Sequence, residues 1–253
     1  MIMISKALTT YYEPIEPGSA AQISITVCLI AAGIFLGVLF ARSKTETRKI
    51  LLVCGALLMI TEVFKQIFLY RLLGGYPWSD FPFQLCSIPM YFCVLDYFMN
   101  RRWIEQFIMI FGLIGAVASF CVPQASFSGY ILLTIHSLFW HTMLLILGVF
   151  LMLRQTKESM KLQNFIPVGL AYLFLAVAAV AFNSAFYSAS DATMNMFFLG
   201  PGWPDMFILN DIYLDSGWIA ATLGMIGVSE AAGFCVYLLI FIVYWKEGAA
   251  KKP

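Results

Sequence analysis

The chain has 253 residues, is 61% hydrophobic and only 11% charged, and carries a formal net charge of +1. A typical soluble domain has roughly 25% charged residues, so this composition excludes an ordinary soluble protein and describes a polytopic membrane protein. No basic run is interleaved with aromatics, no Gly-x-x-x-x-Gly-Lys loop occurs and no Cys or His cluster has metal-ligand spacing, which argues against nucleic-acid, nucleotide and metal chemistry; no cofactor is expected.

The first nineteen residues lack the basic start, compact apolar core and small-residue cleavage site of a secretory signal, so the first span itself is expected to direct insertion. A membrane-crossing helix needs about 20 mostly apolar residues. Seven stretches qualify, at 20–41, 50–70, 84–99, 103–122, 130–153, 165–183 and 217–245. The expected fold is therefore all-α, a single transmembrane domain of seven helices over residues 1–253. Two connections are long: 71–83 and 184–216, the second rich in turn formers and a place where a re-entrant or interfacial segment could hide.

Loop charge sets the expected orientation, because basic loops stay cytoplasmic. Twelve of the fifteen basic residues follow spans one, three, five and seven: Arg42, Lys44, Arg48, Lys49, Arg101, Arg102, Arg154, Lys157, Lys161, Lys246, Lys251 and Lys252. Region 184–216 has four aspartates and no Lys or Arg. The N-terminus is thus expected outside and the C-terminus inside, in a multi-pass protein of the cell membrane.

Polar groups in the hydrocarbon cost roughly 2.5–3.5 kcal/mol on insertion scales, so each needs a partner or a task. In span two, Glu62, Lys65 and Gln66 share a face, and Glu62 and Lys65 are spaced for a helical ion pair. In span three, "FPFQLCSIPMYF" sets Gln84 and Cys86 just behind Pro82, and Pro89 is expected to kink the helix and free the carbonyl of Leu85 beside the thiol. Asp96 reads as an anchor near Arg101 and Arg102.

Span five holds the only two histidines. His136 and His141 are placed about 10 Å and 16 Å below its outer end. Five residues apart they diverge by about 140°, so both cannot point straight at one site. Asn183 closes span six, and Glu230 stands near mid-depth in span seven. Glu62, Lys65, Gln66, Gln84, Cys86, His136, His141 and Asn183 all fall in the outer half of the bilayer, and one shared polar cavity would explain them. Of the six cysteines, Cys86 alone has polar company; a thiol becomes a strong nucleophile when an imidazole or ammonium stabilises its thiolate.

In chain order, "TEVFKQI", "FPFQLCSIPMYF", "IFGLIGAVASFCVP", "HSLFWHTMLLILGVFLML" and "NSAFYSASDATMNMFFLGPGWP" together resemble the YwaF-like bacterial integral membrane proteins, which are related to the eukaryotic transmembrane protein 164 family. The resemblance covers about residues 50–205. It implies a seven-helix membrane fold and phospholipid acyl transfer through a cysteine that matches Cys86, assisted by a histidine. The family's segment often reads Leu-Pro-Leu-His-Leu-Cys, whereas this chain has Gln84 where that histidine would stand. His141 matches the family's span-five histidine and His136 is an additional one. Glu62, Lys65, Asn183, Asn195, Gly202 and Pro204 are carried along as cavity or lid residues.

Three functions remain open on the sequence. The first is a lipid acyltransferase or acyl hydrolase in which Cys86 attacks an acyl ester from the outer leaflet, His141 or His136 moves the proton, and Gln84 or Lys65 steadies the oxyanion. The second is a transporter or a lipid- or solute-binding protein without covalent chemistry. The third is a sensor or accessory protein; a retinal-binding version is excluded because 217–245 contains no lysine. Membrane lipids are the expected partners, nucleic acid is not, and the oligomeric state is not set by the sequence.

Overall fold

The computed structural model describes residues 9–122, 126–202 and 207–250, and Pro204 therefore lies outside the described residues. These hold seven α-helices and no strand: α1 (Ala20–Arg42), α2 (Thr47–Leu73), α3 (Ile88–Met99), α4 (Arg102–Cys121), α5 (Ile131–Arg154), α6 (Ile166–Phe186) and α7 (Phe207–Ala250). All but α3 are long and apolar enough to cross a membrane. Local chemistry sets several ends. The Ser19 hydroxyl accepts from the Gln22 N–H at the start of α1, Pro167 occupies the first turn of α6 where its missing N–H costs nothing, and Gly74, at φ 70°, closes α2 in the left-handed cap that favours glycine.

Two expectations about helix limits are corrected. The third apolar stretch is not helical from residue 84: α3 begins at Ile88 and has 12 residues, about 18 Å of rise. Pro89 therefore sits in the first turn, where it kinks nothing, and Leu85 has no helical bond for it to break. The last helix begins ten residues early, at Phe207, and is broken at Gly217 (φ 80°, ψ 174°), where the expected start lay. The region 184–216 is accordingly part helix, with a short 3-10 turn at Met196–Phe198.

The chain divides into two compact units, residues 1–75 with 89–154, and residues 76–88 with 155–253. In the first, α5 is the central helix, packed along α1 and α4 and more lightly on α2. Leu144, Leu147, Phe150 and Leu151 on α5 and Ile104, Phe107, Ile108 and Phe111 on α4 are wholly buried. The approach of α1 to α5 depends on Gly33 and Gly37, a small-x-x-x-small pair that lets helix backbones come close. A Cβ at Gly37 would lie 2.8 Å from Val149 Cβ and 3.0 Å from the Ile146 carbonyl oxygen, and one at Gly33 would lie 2.8 Å from Leu145 Cδ2. Arg154, at the end of α5, donates to the carbonyls of Phe40, Ala41, Ser43 and Thr45, closing the C-terminal end of α1.

These contacts give the first test. Gly37→Val should lower stability by about 1–3 kcal/mol through overpacking, read as a fall in thermal midpoint of the detergent-purified protein. Gly227→Ala, whose Cβ meets nothing within 4 Å, should leave the midpoint unchanged or raise it.

In the second unit, the segment before α3 is anchored to α6 by aromatic rings. Trp78 stacks on Phe186 at 5.5 Å and Phe81 on Phe182 at 5.3 Å, while Phe83 lies 6.3 Å from Phe182 and 5.6 Å from Phe197. These side chains hold 78–83 as a short 3-10 turn, Trp78–Asp80, followed by irregular backbone rather than as α-helix. Tyr237 of α7 is fully buried and donates to the Lys161 carbonyl at 2.7 Å.

Candidate functional site

The polar residues singled out in the sequence form two groups, one in each unit. In the first unit, Glu62 of α2 is 4% exposed and sits at the centre of its group. Its Oε1 accepts from the Lys65 ammonium at 2.9 Å and from the Gln66 amide at 2.8 Å. These partners lie three and four residues on, which is the spacing at which helical side chains meet. Its Oε2 faces His136 Nε2 of α5 at 3.5 Å, and the His136 ring stacks on Trp140 one turn further along, with centroids 5.3 Å apart. The expected ion pair is therefore present, and an imidazole of the neighbouring helix faces it at 3.5 Å.

A cavity of about 250 Å³ opens beside this group. Thr61, Phe64, Lys65, Leu132, His136 and Phe139 line it. Its wall is almost wholly hydrocarbon, including the carbon atoms of Lys65 and His136, a lining suited to an apolar group rather than to a small polar solute.

His141 does not join Glu62. Its Nδ1 lies 2.8 Å from the Ser137 carbonyl oxygen, one turn back on α5. A carbonyl only accepts, so Nδ1 carries the proton and Nε2 of the neutral ring is left as a base. The two histidines thus diverge, as their spacing requires: one is oriented by a carboxylate of another helix, the other by its own backbone.

In the second unit, Gln84 and Asn183 are both turned onto the loop after α6. Gln84 Nε2 donates to the Asn195 carbonyl at 3.2 Å, and its Oε1 accepts from the Phe197 N–H at 2.9 Å. Asn183, with no exposed surface, accepts from the Met196 N–H at 2.8 Å and donates to the carbonyls of Met196, at 2.9 Å, and Leu199. Gly200 N–H donates to the Thr222 hydroxyl of α7 at 3.1 Å. Two primary amides and a hydroxyl therefore replace the regular ladder that residues 195–200 lack.

The loop needs that support. Phe197 and Phe198 both have φ 57°, a left-handed conformation uncommon for bulky residues, and Phe197 is 2% exposed. Asn195 contributes backbone to this arrangement through its carbonyl, and Gly202 lies in the turn that follows.

Cys86 occupies the turn of residues 85–87 immediately ahead of α3 and is half-buried. The Ser87 N–H donates to the Gln84 carbonyl at 2.8 Å and closes the turn, so the residue that fastens the loop also anchors the turn that carries the thiol. None of the six cysteines is disulfide-bonded. Glu230 of α7 lies against Gly169 of α6, where a Cβ would fall 2.2 Å from its Oε1. Sequence reasoning found the polar side chains but missed the partners of Gln84 and Asn183, which are main-chain N–H and carbonyl groups, and it read Arg154 only as a loop charge.

Six membrane-length apolar helices, with a buried carboxylate–ammonium–imidazole group beside a hydrocarbon-lined cavity, define a polytopic α-helical membrane protein. The chain belongs to the TMEM164 family, whose sequence model matches residues 18–226. No curated protein and no solved structure matches it.

Proposed function

We propose that this TMEM164-family chain is a seven-crossing protein of the cell membrane, of the YwaF-like bacterial branch, with its N-terminus outside and its C-terminus inside. In this reading it acts on membrane lipids as an acyltransferase or acyl hydrolase. The observation that carries the reading is the setting of Cys86: a half-buried thiol in a short turn, fixed by Gln84, directly before the N-terminal end of a helix. A helix N-terminus favours negative charge and hence the thiolate.

The chemistry balances without a cofactor. A histidine takes the thiol proton, sulfur adds to the ester carbonyl carbon, and the carbon–oxygen bond breaks as the leaving lipid oxygen receives that proton. Water or the hydroxyl of a second lipid then attacks the thioester; the new carbon–oxygen bond forms, carbon–sulfur breaks, and sulfur recovers a proton. His141 is the preferred base, because its Nδ1 is fixed as a donor and Nε2 remains basic. His136, facing Glu62, is the alternative. Gln84 is a positioning residue for the turn, since its amide already bonds residues 195 and 197.

Acyl transfer between fluorescent phospholipids in nanodiscs tests this. Cys86→Ser should abolish the acyl-protein adduct and turnover, and His141→Gln should cost about a hundredfold or more, both without change in thermal midpoint. Full activity in Cys86→Ser would end the enzymatic reading. The cavity beside Glu62 supports the second reading, lipid or solute binding or transport without covalent chemistry. That reading requires ligand binding that survives Cys86→Ser and leaves no acyl group on the protein.

A further inference from the structure

A second cavity, of about 290 Å³, lies in the unit formed by residues 76–88 and 155–253 and is remote in sequence from Cys86. Lys157, Lys161, Met160, Phe241, Trp245 and Glu158 line it. It joins the basic loop before α6 to the last turns of α7, where Lys246 follows Trp245. The Phe241 and Trp245 rings lie nearly parallel, at 8° with centroids 6.4 Å apart, and Trp245 is 59% exposed. Tryptophan at the end of a membrane helix is characteristic of the headgroup level.

The loop that presents the lysines is built, not slack. The Thr156 N–H donates to the Ser159 hydroxyl at 2.8 Å, and that hydroxyl is also bonded to Gln155 and to the Thr156 carbonyl. Asn164 donates to the Ser159 carbonyl, and Tyr237 fixes the Lys161 carbonyl. Glu158 is the one acid in the lining. Its carboxyl, held below the usual range by its own backbone N–H and the Thr156 hydroxyl, is bound into the turn. Two ammonium groups against one such carboxylate leave the cavity net cationic.

We propose that this cavity binds the phosphate headgroup of an anionic phospholipid in the leaflet on the side of the basic loops. Two lysines supply the charge, and Met160, Phe241 and Trp245 receive the glycerol and first methylenes. The volume is at the small end of ligand pockets, which run from about 300 to 1,000 Å³, and so fits a headgroup with the start of its tails rather than a whole lipid. The apolar wall is what selects a lipid over free phosphate. Basic clusters at this level are ordinary headgroup sites, and this one is independent of any chemistry at Cys86.

Native mass spectrometry of the full chain in neutral detergent tests the assignment, with dioctanoyl phosphatidylglycerol, dioctanoyl phosphatidylcholine and inorganic phosphate as separate probes. Phosphatidylglycerol should bind in preference to phosphatidylcholine. Lys157→Gln/Lys161→Gln should weaken it about 25-fold, from about fivefold per lysine. Lys157→Arg/Lys161→Arg should retain it, and Lys44→Gln/Lys49→Gln, at exposed sites of the other unit, should not matter. Both lining lysines are exposed, so these variants should fold, as an unchanged thermal midpoint without lipid would show. Equal binding of phosphatidylcholine, or unweakened binding by the Lys157/Lys161 glutamine variant, overturns the site. Full displacement by inorganic phosphate at equal concentration overturns the lipid as its ligand.

Discussion

Replacing Asn183 by leucine is expected to destabilise the region after α6 more than any other single substitution there, by roughly 3 kcal/mol or more. One buried amide serves three main-chain groups: the N–H and carbonyl of Met196 and the carbonyl of Leu199. Leucine keeps the volume but removes that partner in a place water does not reach: the Met196 carbonyl keeps the Leu199 N–H at 3.0 Å, while the Met196 N–H and the Leu199 carbonyl lose the amide. Each buried group so orphaned costs about 1–3 kcal/mol. Gln84→Leu removes two partly buried bonds, to Asn195 and Phe197, and should cost less, about 2 kcal/mol. Thermal unfolding in detergent gives the ranking. Hydrogen exchange gives the mechanism: the Met196 amide should lose protection in Asn183→Leu and the Phe197 amide in Gln84→Leu. If both variants unfold like the parent and both amides stay protected, the loop is held by its aromatic packing instead.

The same comparison bears on the proposed chemistry. Gln84 fastens the loop at one end and closes the Cys86 turn at the other, so Gln84→Leu should lower acyl transfer by more than its loss of stability alone explains. Asn183→Leu disturbs the loop from the α6 side and should act on activity only through folding.

What the sequence disclosed and what it concealed follow from the range of the forces involved. Hydrophobic length is local, so the six membrane-length helices stand close to where apolar runs placed them. The Glu62–Lys65 pair was legible for the same reason, both residues lying on one helical face. The start of α3 was not. "FPFQLC" is as apolar as a helix, and the rings of Phe182 and Phe197 with the Gln84 bonds to residues 195 and 197, about a hundred residues on, hold it out of one. Gln84, Asn183 and Arg154 show a further limit: their polarity is visible in the sequence, but their partners are backbone groups, which every residue carries and no pattern marks. Gly33 and Gly37 do leave a mark, the small-x-x-x-small spacing, but that spacing does not name the helix that packs on it.

Glu62→Leu is the second substitution with a large expected effect, about 3–5 kcal/mol, because removing one member of a buried pair takes the opposite charge from the other. The Lys65 ammonium would keep only a small part of its surface in contact with solvent and lose the carboxylate 2.9 Å away; Gln66 would lose its acceptor and His136 the group it faces. Removing the charge as well as its partner reverses this logic: in Glu62→Leu/Lys65→Met no buried charge remains, and well-packed hydrophobic replacements of ion pairs are often neutral. The double variant should therefore recover most of the thermal midpoint lost by Glu62→Leu alone. Function should separate from stability at this point. If the group serves only to hold α2 against α5, the folded double variant keeps lipid binding and acyl transfer. If Lys65 and His136, which stand in the wall of the adjoining cavity, hold a ligand there, the double variant folds but loses at least about tenfold in affinity for a lipid probe, equivalent to about 1.4 kcal/mol. Recovery of both fold and affinity would assign the group to helix packing and leave Cys86 as the remaining candidate for chemistry.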